Sequence, residues 1–190
     1  MDMKIEVIKR ETIKPSSPTP KHLRKLKLSI LDQFGPAYLS PILFFFPRTQ
    51  YLNSDSSERS RILKQSLSIS LIHFYPLAGR INQDNFSIDC NDEGAEFVEA
   101  RINCPLSKIL ADPDPRALKK LIPPETVARE ELFTSPLLLV LCSFFECGGM
   151  TIGACYSHKI ADGCTISRHL KCWAAVASSS DPAAALPFAP

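Results

Sequence analysis

The 190-residue sequence predicts an α/β fold, a mixed β-sheet flanked by helices. Short apolar runs of strand length recur along the chain, and apolar stripes at helical spacing lie between them. Strands and helices follow one another without strict β-α order, which favours a mixed sheet over a parallel one.

Ile5 and Val7 share one side of a partly alternating stretch over 4–13, read as a strand that runs into a loop stiffened by Pro15, Pro18 and Pro20. The apolar run from Pro41 to Phe46, closed by Pro47, reads as a strand buried on both faces. After Asn53 and Ser54, Asp55 with Glu58 three residues on has the spacing of a capping box. Leu63, Leu67, Leu71 and Phe74, widened by Ile62, Ile69 and Ile72, give the apolar stripe of the helix that follows, and Pro76 limits it. Phe86, Ile88 and Cys90, then Val98, Ala100 and Ile102, alternate on either side of a turn at 91–94 and predict a β-hairpin. Asp114 before Pro115 predicts a short helix to Leu121. The stretch 123–136 reads as loop. Two strands, 137–146 and 151–157, meet at a turn containing Gly148 and Gly149. Ile166, Leu170, Trp173 and Ala177 then mark a helix, and the tail from Ser178 to Pro190 reads as the start of a linker.

With 45% hydrophobic and 22% charged residues, the composition is that of a folded globular chain. A net charge of +2 gives no electrostatic reason to expect nucleic acid or an anionic membrane as partner. Lys21, His22, Arg24, Lys25 and Lys27 read as a solvated face, since no aromatics are interleaved for base stacking. Asp2, Lys4 and Glu6 interrupt the start where a signal peptide needs an apolar core, and no apolar run nears the ~20 residues that span a bilayer. The 7 cysteines form no paired spacing, so they predict buried free thiols in a cytoplasmic protein and no metal site.

The chemistry centres on His158, Asp162 and Gly163, between a predicted strand end and a helix start. Strand ends leading into loops are where α/β sheets expose functional side chains, and an imidazole titrating near neutrality can take a proton from a hydroxyl or amine. The pattern alone is short, and it fits a satisfied core histidine with Asp162 capping the helix at least as well. Cys155 and Cys164 flank His158, but alternation puts Cys155 on the opposite face, which disfavours a thiol nucleophile.

The same residues carry a resemblance. His158, Asp162 and Gly163, preceded by Phe145, Cys147, Gly148, Gly149, Ile152 and Gly153 and followed by Trp173, resemble the H-x-x-x-D region of the BAHD acyl-CoA-dependent acyltransferases. Leu63, Lys64, Ser66, Leu67 and Ser68, then Phe74 through Arg80, are similar to the family's early helix and turn. Asn91, Asp92, Gly94, Ala95, Phe97, Val98, Glu99 and Ala100 resemble its hairpin. Ile13 through Pro20, with Leu28, Ser29, Leu31, Asp32 and Gln33, resemble the vinorine synthase type of alkaloid O-acetyltransferases.

The resemblance implies a fold similar to chloramphenicol acetyltransferase, in two domains with the site in a channel between them. It implies an acyl-CoA co-substrate, acetyl-CoA in the alkaloid type, and an alcohol or amine acceptor among plant specialised metabolites. His158 takes the catalytic role of general base; Asp162 and Gly163 are structural. The residues that contact CoA stay unassigned. The family's second signature, Asp-Phe-Gly-Trp-Gly, is absent together with the second half of the family's length. The expectation is therefore an N-terminal acyltransferase domain over 1–177, the start of an inter-domain linker over 178–190, and no C-terminal domain. A half without its second wall is expected to have little activity unless a C-terminal half joins it. A truncated, catalytically incompetent member that acts at most as a binding or partner protein is the competing reading, and an unrelated α/β binding domain with a chance motif is a remote third.

Overall fold

The computed structural model describes residues 3–35, 38–48, 55–84, 86–123 and 133–179. Strands β1 (Ile5–Ile13), β3 (Leu39–Phe46), β6 (Ala95–Ile102), β7 (Leu138–Phe145) and β8 (Met150–Ser157) form a sheet in the order β1-β6-β7-β8-β3. The β6–β7 pair is parallel and the other neighbours are antiparallel, a mixed sheet. A smaller sheet sets β2 (Lys25–Lys27) beside β5 (Ser87–Asp89) and β5 beside β4 (Arg80–Ile81). The helices are α1 (Ile30–Phe34), α2 (Ser56–His73), α3 (Leu106–Ala111), α4 (Pro115–Lys119) and α5 (Gly163–Ser178). None of the described helices is long and apolar enough to cross a membrane.

Strand side chains alternate between faces, and here both faces of the central strands are covered. Leu138, Val140, Cys142 and Phe144 of β7 and Ile152, Ala154 and Tyr156 of β8 pack with Leu67 and Leu71 of α2 and Ile166 and Trp173 of α5. On the opposite face Ile102 and Phe145 pack with Leu106 and Ile109 of α3 and with Leu121. The apolar stripe of α2 thus finds its partner, and Leu67 and Leu71 are fully buried. Asp55 accepts from the Glu58 N–H at 2.8 Å, as expected of the cap, while the Glu58 carboxylate turns outward to Arg61. Asn53 and Ser54 lie outside the described residues.

Arg80 binds the end of the α2 block to the turn after β5. Its guanidinium donates to the carbonyls of Gly79 at 2.7 Å, Gly94 at 2.9 Å and Thr134 at 3.1 Å, and pairs with Glu93 at 3.0 Å. Burial pulls its pKa below the usual arginine value, an effect Glu93 opposes. A buried charge held by three carbonyls and a carboxylate is costly to strip of its partners.

The structure corrects several expectations. Pro41–Phe46 is not buried on both faces: β3 is an edge strand pairing β8, and Phe44 and Phe46 are partly exposed. Pro41 lacks the N–H an interior strand must donate, so an edge position suits it. The hairpin across 91–94 does not form. β5 belongs to the small sheet, whereas β6 already pairs β1 on one side and β7 on the other. The turn is a crossover between sheets, with Asp92 at φ 58° and Gly94 at φ 101° in the left-handed region. Cys147 and Cys164 are exposed rather than buried. β2, α1 and α3 were not anticipated, being too short to show a period. Part of the predicted loop, 124–132, lies outside the described residues, as do 180–190 of the predicted linker.

At Gly153 of β8 another backbone segment passes close by. A Cβ there would stand 2.2 Å from the Leu121 carbonyl oxygen and 2.9 Å from the Ile122 Cα, both backbone atoms. Gly153→Ala should therefore destabilise the chain by about 1–3 kcal/mol, the usual cost of overpacking, read as a lowered urea midpoint with unchanged slope.

Candidate active site

All eight residues of β8 are buried, and His158, next along the chain, is the first side chain to reach the surface. The turn that carries it is held at several points. Its own N–H donates to the Tyr38 carbonyl at 3.0 Å, and the N–H groups of Ile160 and Ala161 return to the Ser157 carbonyl at 3.2 and 3.1 Å. Lys159 is buried and its Nζ donates to the Gln33 carbonyl at 3.1 Å, tying the turn to the end of α1. The His158 ring is half-buried and leans on the Tyr38 ring, centroids 5.0 Å apart at 40°. Among the described residues neither ring nitrogen of His158 has a hydrogen-bond partner.

The helix to which Lys159 ties the turn, α1, is apolar at its surface. Ile30, Leu31 and Phe34 of α1 are 72%, 84% and 86% exposed, and Tyr38 is 44% exposed. So large a share of bare hydrocarbon in one five-residue helix is unusual for a surface that meets only water.

Asp162 is the N-cap of α5, accepting from the Thr165 N–H at 2.7 Å. That bond holds its carboxyl below the usual aspartate value. Its side chain is therefore committed to the helix start, four residues from His158. Gly163 follows as the first helical residue, and a Cβ there would meet nothing within 4 Å. Local packing gives no reason for a glycine; the space in front of it is open.

Sequence reasoning passed over a second histidine. His169 lies on the buried stripe of α5, three residues after Ile166 and four before Trp173, and is fully buried. Its Nδ1 is 2.8 Å from the Tyr156 hydroxyl and its Nε2 3.3 Å from Ser70 Oγ. Burial depresses its pKa to about 3. The satisfied core histidine of the motif region is thus His169, and His158 is the one left open. A polar residue at a core position of the stripe was the available signal. Tyr38 was also missed, since nothing local ties it to a residue 120 positions away.

The cysteines separate from the imidazole. Cys155 Sγ points at the Pro123 carbonyl at 3.4 Å, on the face away from the α2–α5 core, and Cys164 is exposed on α5. Among the described residues no group of three or more His, Cys, Asp or Glu side chains converges as metal ligands do. A groove of about 250 Å³ between α2 and α5, lined by Ile62, Ser66, Ile69 and Val176 among others, includes none of the motif residues.

The sequence profile of the Transferase family matches residues 3–189. Stemmadenine O-acetyltransferase of Catharanthus roseus is 43% identical over 178 residues, covering 92% of this chain and 42% of that protein. The crystal structure of vinorine synthase superposes with a TM-score of 0.84 at 40% identity, covering 97% of this chain and 45% of that one. A Fusarium sporotrichioides TRI101 structure, complexed with coenzyme A and T-2, shares the fold at 16% identity and a TM-score of 0.55, with 87% of this chain and 42% of that one covered. The chain spans less than half the length of each of these relatives.

Two measurements check the site's physical description. Asp162→Ala removes the cap of α5 and should cost about 1 kcal/mol in denaturant unfolding. His169 gives stability a pH dependence. The unfolded chain binds its proton near the ordinary value of 6.5 and the folded chain only near 3, so stability is complete above pH 6.5 and falls with acidification between those values. The expected slope is about 1.4 kcal/mol per pH unit from this group, measurable by urea titrations at pH 7.5, 6 and 5. It should vanish in His169→Gln.

Proposed function

The chain belongs to the Transferase family, the BAHD acyltransferases, and from that membership we propose that it provides the general base for transfer of an acyl group from acyl-CoA to the hydroxyl or amine of a plant specialised metabolite, an alkaloid by analogy with stemmadenine O-acetyltransferase. One observation carries the assignment: His158 is a half-buried imidazole, fixed by its backbone, with both ring nitrogens unengaged among the described residues. A base must reach the proton it removes, and an imidazole already bonded on both sides could not.

In this reading a ring nitrogen of His158 takes the acceptor's proton as its oxygen or nitrogen attacks the thioester carbonyl. The carbon–sulfur bond breaks, and the proton on the imidazole returns to the departing CoA thiolate. No acyl-enzyme forms, so no cysteine is required. A thioester is already activated, so one placed base with the acceptor held in line accounts for much of the acceleration. Asp162 and Gly163 are structural, as the opening of α5. The acyl group is proposed as acetyl from the printed activity of the alkaloid relatives. CoA itself is proposed from family membership and from the CoA-bound TRI101.

The exposed apolar side chains of α1, the helix that Lys159 ties to the turn, favour a further element of the proposal: residues 1–177 act as an N-terminal domain whose site is completed by a C-terminal half. The residues from 178 onward would begin the link to it. The competing reading is a chain that is catalytically incompetent and at most a binding partner.

A thiol-release assay with acetyl-CoA and a panel of alkaloid and phenylpropanoid alcohols tests both. The chain alone should release CoA at background rate, and adding the C-terminal half of a family member should bring activity. In that pairing His158→Ala should lower the rate by roughly 10²- to 10⁴-fold. Turnover that survives His158→Ala would remove the base assignment, and an inert pairing would favour the incompetent reading.

A further inference from the structure

Tyr156 stands two residues before His158 on β8, and its side chain points into the core toward α5. Its hydroxyl meets His169 Nδ1 at 2.8 Å, and His169 Nε2 meets Ser70 Oγ at 3.3 Å. Ser70 Oγ in turn donates to the Leu67 carbonyl at 2.9 Å. The last bond sets the direction of the rest. With its hydrogen spent on Leu67, Ser70 Oγ can only accept, so His169 donates from Nε2 and accepts at Nδ1, where the Tyr156 O–H donates. The opposite tautomer would leave the Tyr156 hydrogen without an acceptor in a dry core. Every proton in the chain of bonds is placed, which a buried polar network requires to be worth keeping.

The rings around it leave little play. His169 meets Phe74 edge-on at 5.1 Å and Tyr156 at 5.6 Å, and tilts against Trp173 at 6.2 Å. Trp173 Nε1 donates to the Leu63 carbonyl and to Ser66 Oγ, both at 3.0 Å. A second polar tie therefore runs beside the first between α5 and α2. The two ends of the catalytic turn, the last residues of β8 and the opening of α5, are separated by only residues 158–162. Whatever sets the placement of β8 against α5 sets that turn.

We infer that Tyr156, His169 and Ser70 form a positioning brace for His158, locking strand β8 to helices α5 and α2 so that the turn between strand and helix presents the imidazole at one fixed place. None of the three touches the reacting atoms; they act through the turn. The inference deepens the reading of His158 as base, and its test reads the ring rather than turnover, so that failure of either idea shows separately.

The experiment is NMR on the 190-residue chain. Because the His158 ring leans on Tyr38, its ring-proton shifts report the distance and tilt between them, and exchange of the His158 and Ala161 amides reports the turn. Tyr156→Phe removes one O–H and almost no volume. The expected result is a displaced set of His158 ring signals and at least tenfold faster exchange at those two amides. His169→Gln, whose amide can accept at one atom and donate at another, should keep both near wild type. Ile102→Val, a core change on the other face, controls for general loss of stability and should leave the His158 signals in place. Unmoved His158 signals in Tyr156→Phe would overturn the inference, as would equal displacement in Ile102→Val. If Tyr156→Phe does not fold, Ser70→Ala, which cuts the far end of the same brace, carries the same comparison on the same criteria.

Discussion

Burial of β8 along its whole length is the constraint on which the rest of the molecule depends. Eight residues in a row, Met150 to Ser157, are buried, with the α2–α5 layer on one side and the 104–123 region on the other. Inside such a strand an unpartnered polar side chain carries a cost, one that Thr151 Oγ1 bears among the described residues. Gly153 is there because a backbone crosses directly over it, and Tyr156 because a histidine takes its hydroxyl. Position 158 is the first after the strand to be only half-buried. The site is thus placed by where the sheet stops.

The two histidines near the end of that strand show how environment divides one chemistry into two roles. His169 is sealed, bonded at both nitrogens and held neutral by burial. It contributes to the geometry of α5 against α2. His158 has its backbone bonded and, among the described residues, no partner on its half-buried ring's nitrogens, with Tyr38 as an aromatic neighbour. A fixed backbone under a free ring is the arrangement that proton transfer calls for, since the nitrogen must be both placed and available.

Family membership sets this geometry in context. The match to vinorine synthase runs through nearly the whole chain yet less than half of that protein. The helix tied to the His158 turn through Lys159, α1, keeps Ile30, Leu31 and Phe34 exposed.

Local signals carried much of this. The strands β7 and β8 with the turn between them, the stripe and cap of α2, Asp114 before α4 and the helix after Asp162 were all legible, because each depends on contacts within a few residues. The motif residues His158, Asp162 and Gly163 were legible as a group for the same reason. What failed depended on partners far along the chain. The hairpin at 91–94 looked sound locally, but β6 pairs with β1 and β7 and β5 with β2 and β4, and no turn signal records which neighbour wins. β3 read as an interior strand although Pro41 already argued for an edge.

By itself, then, the sequence determined the type of most elements and the residues at which a base could sit, since short-range spacing and capping decide those. Tertiary structure alone decided which histidine is open and which is sealed. The two lie eleven positions apart, and burial depends on what packs against a residue from elsewhere. Ser70, Tyr156 and Tyr38 supply those contacts, and no local pattern contains them.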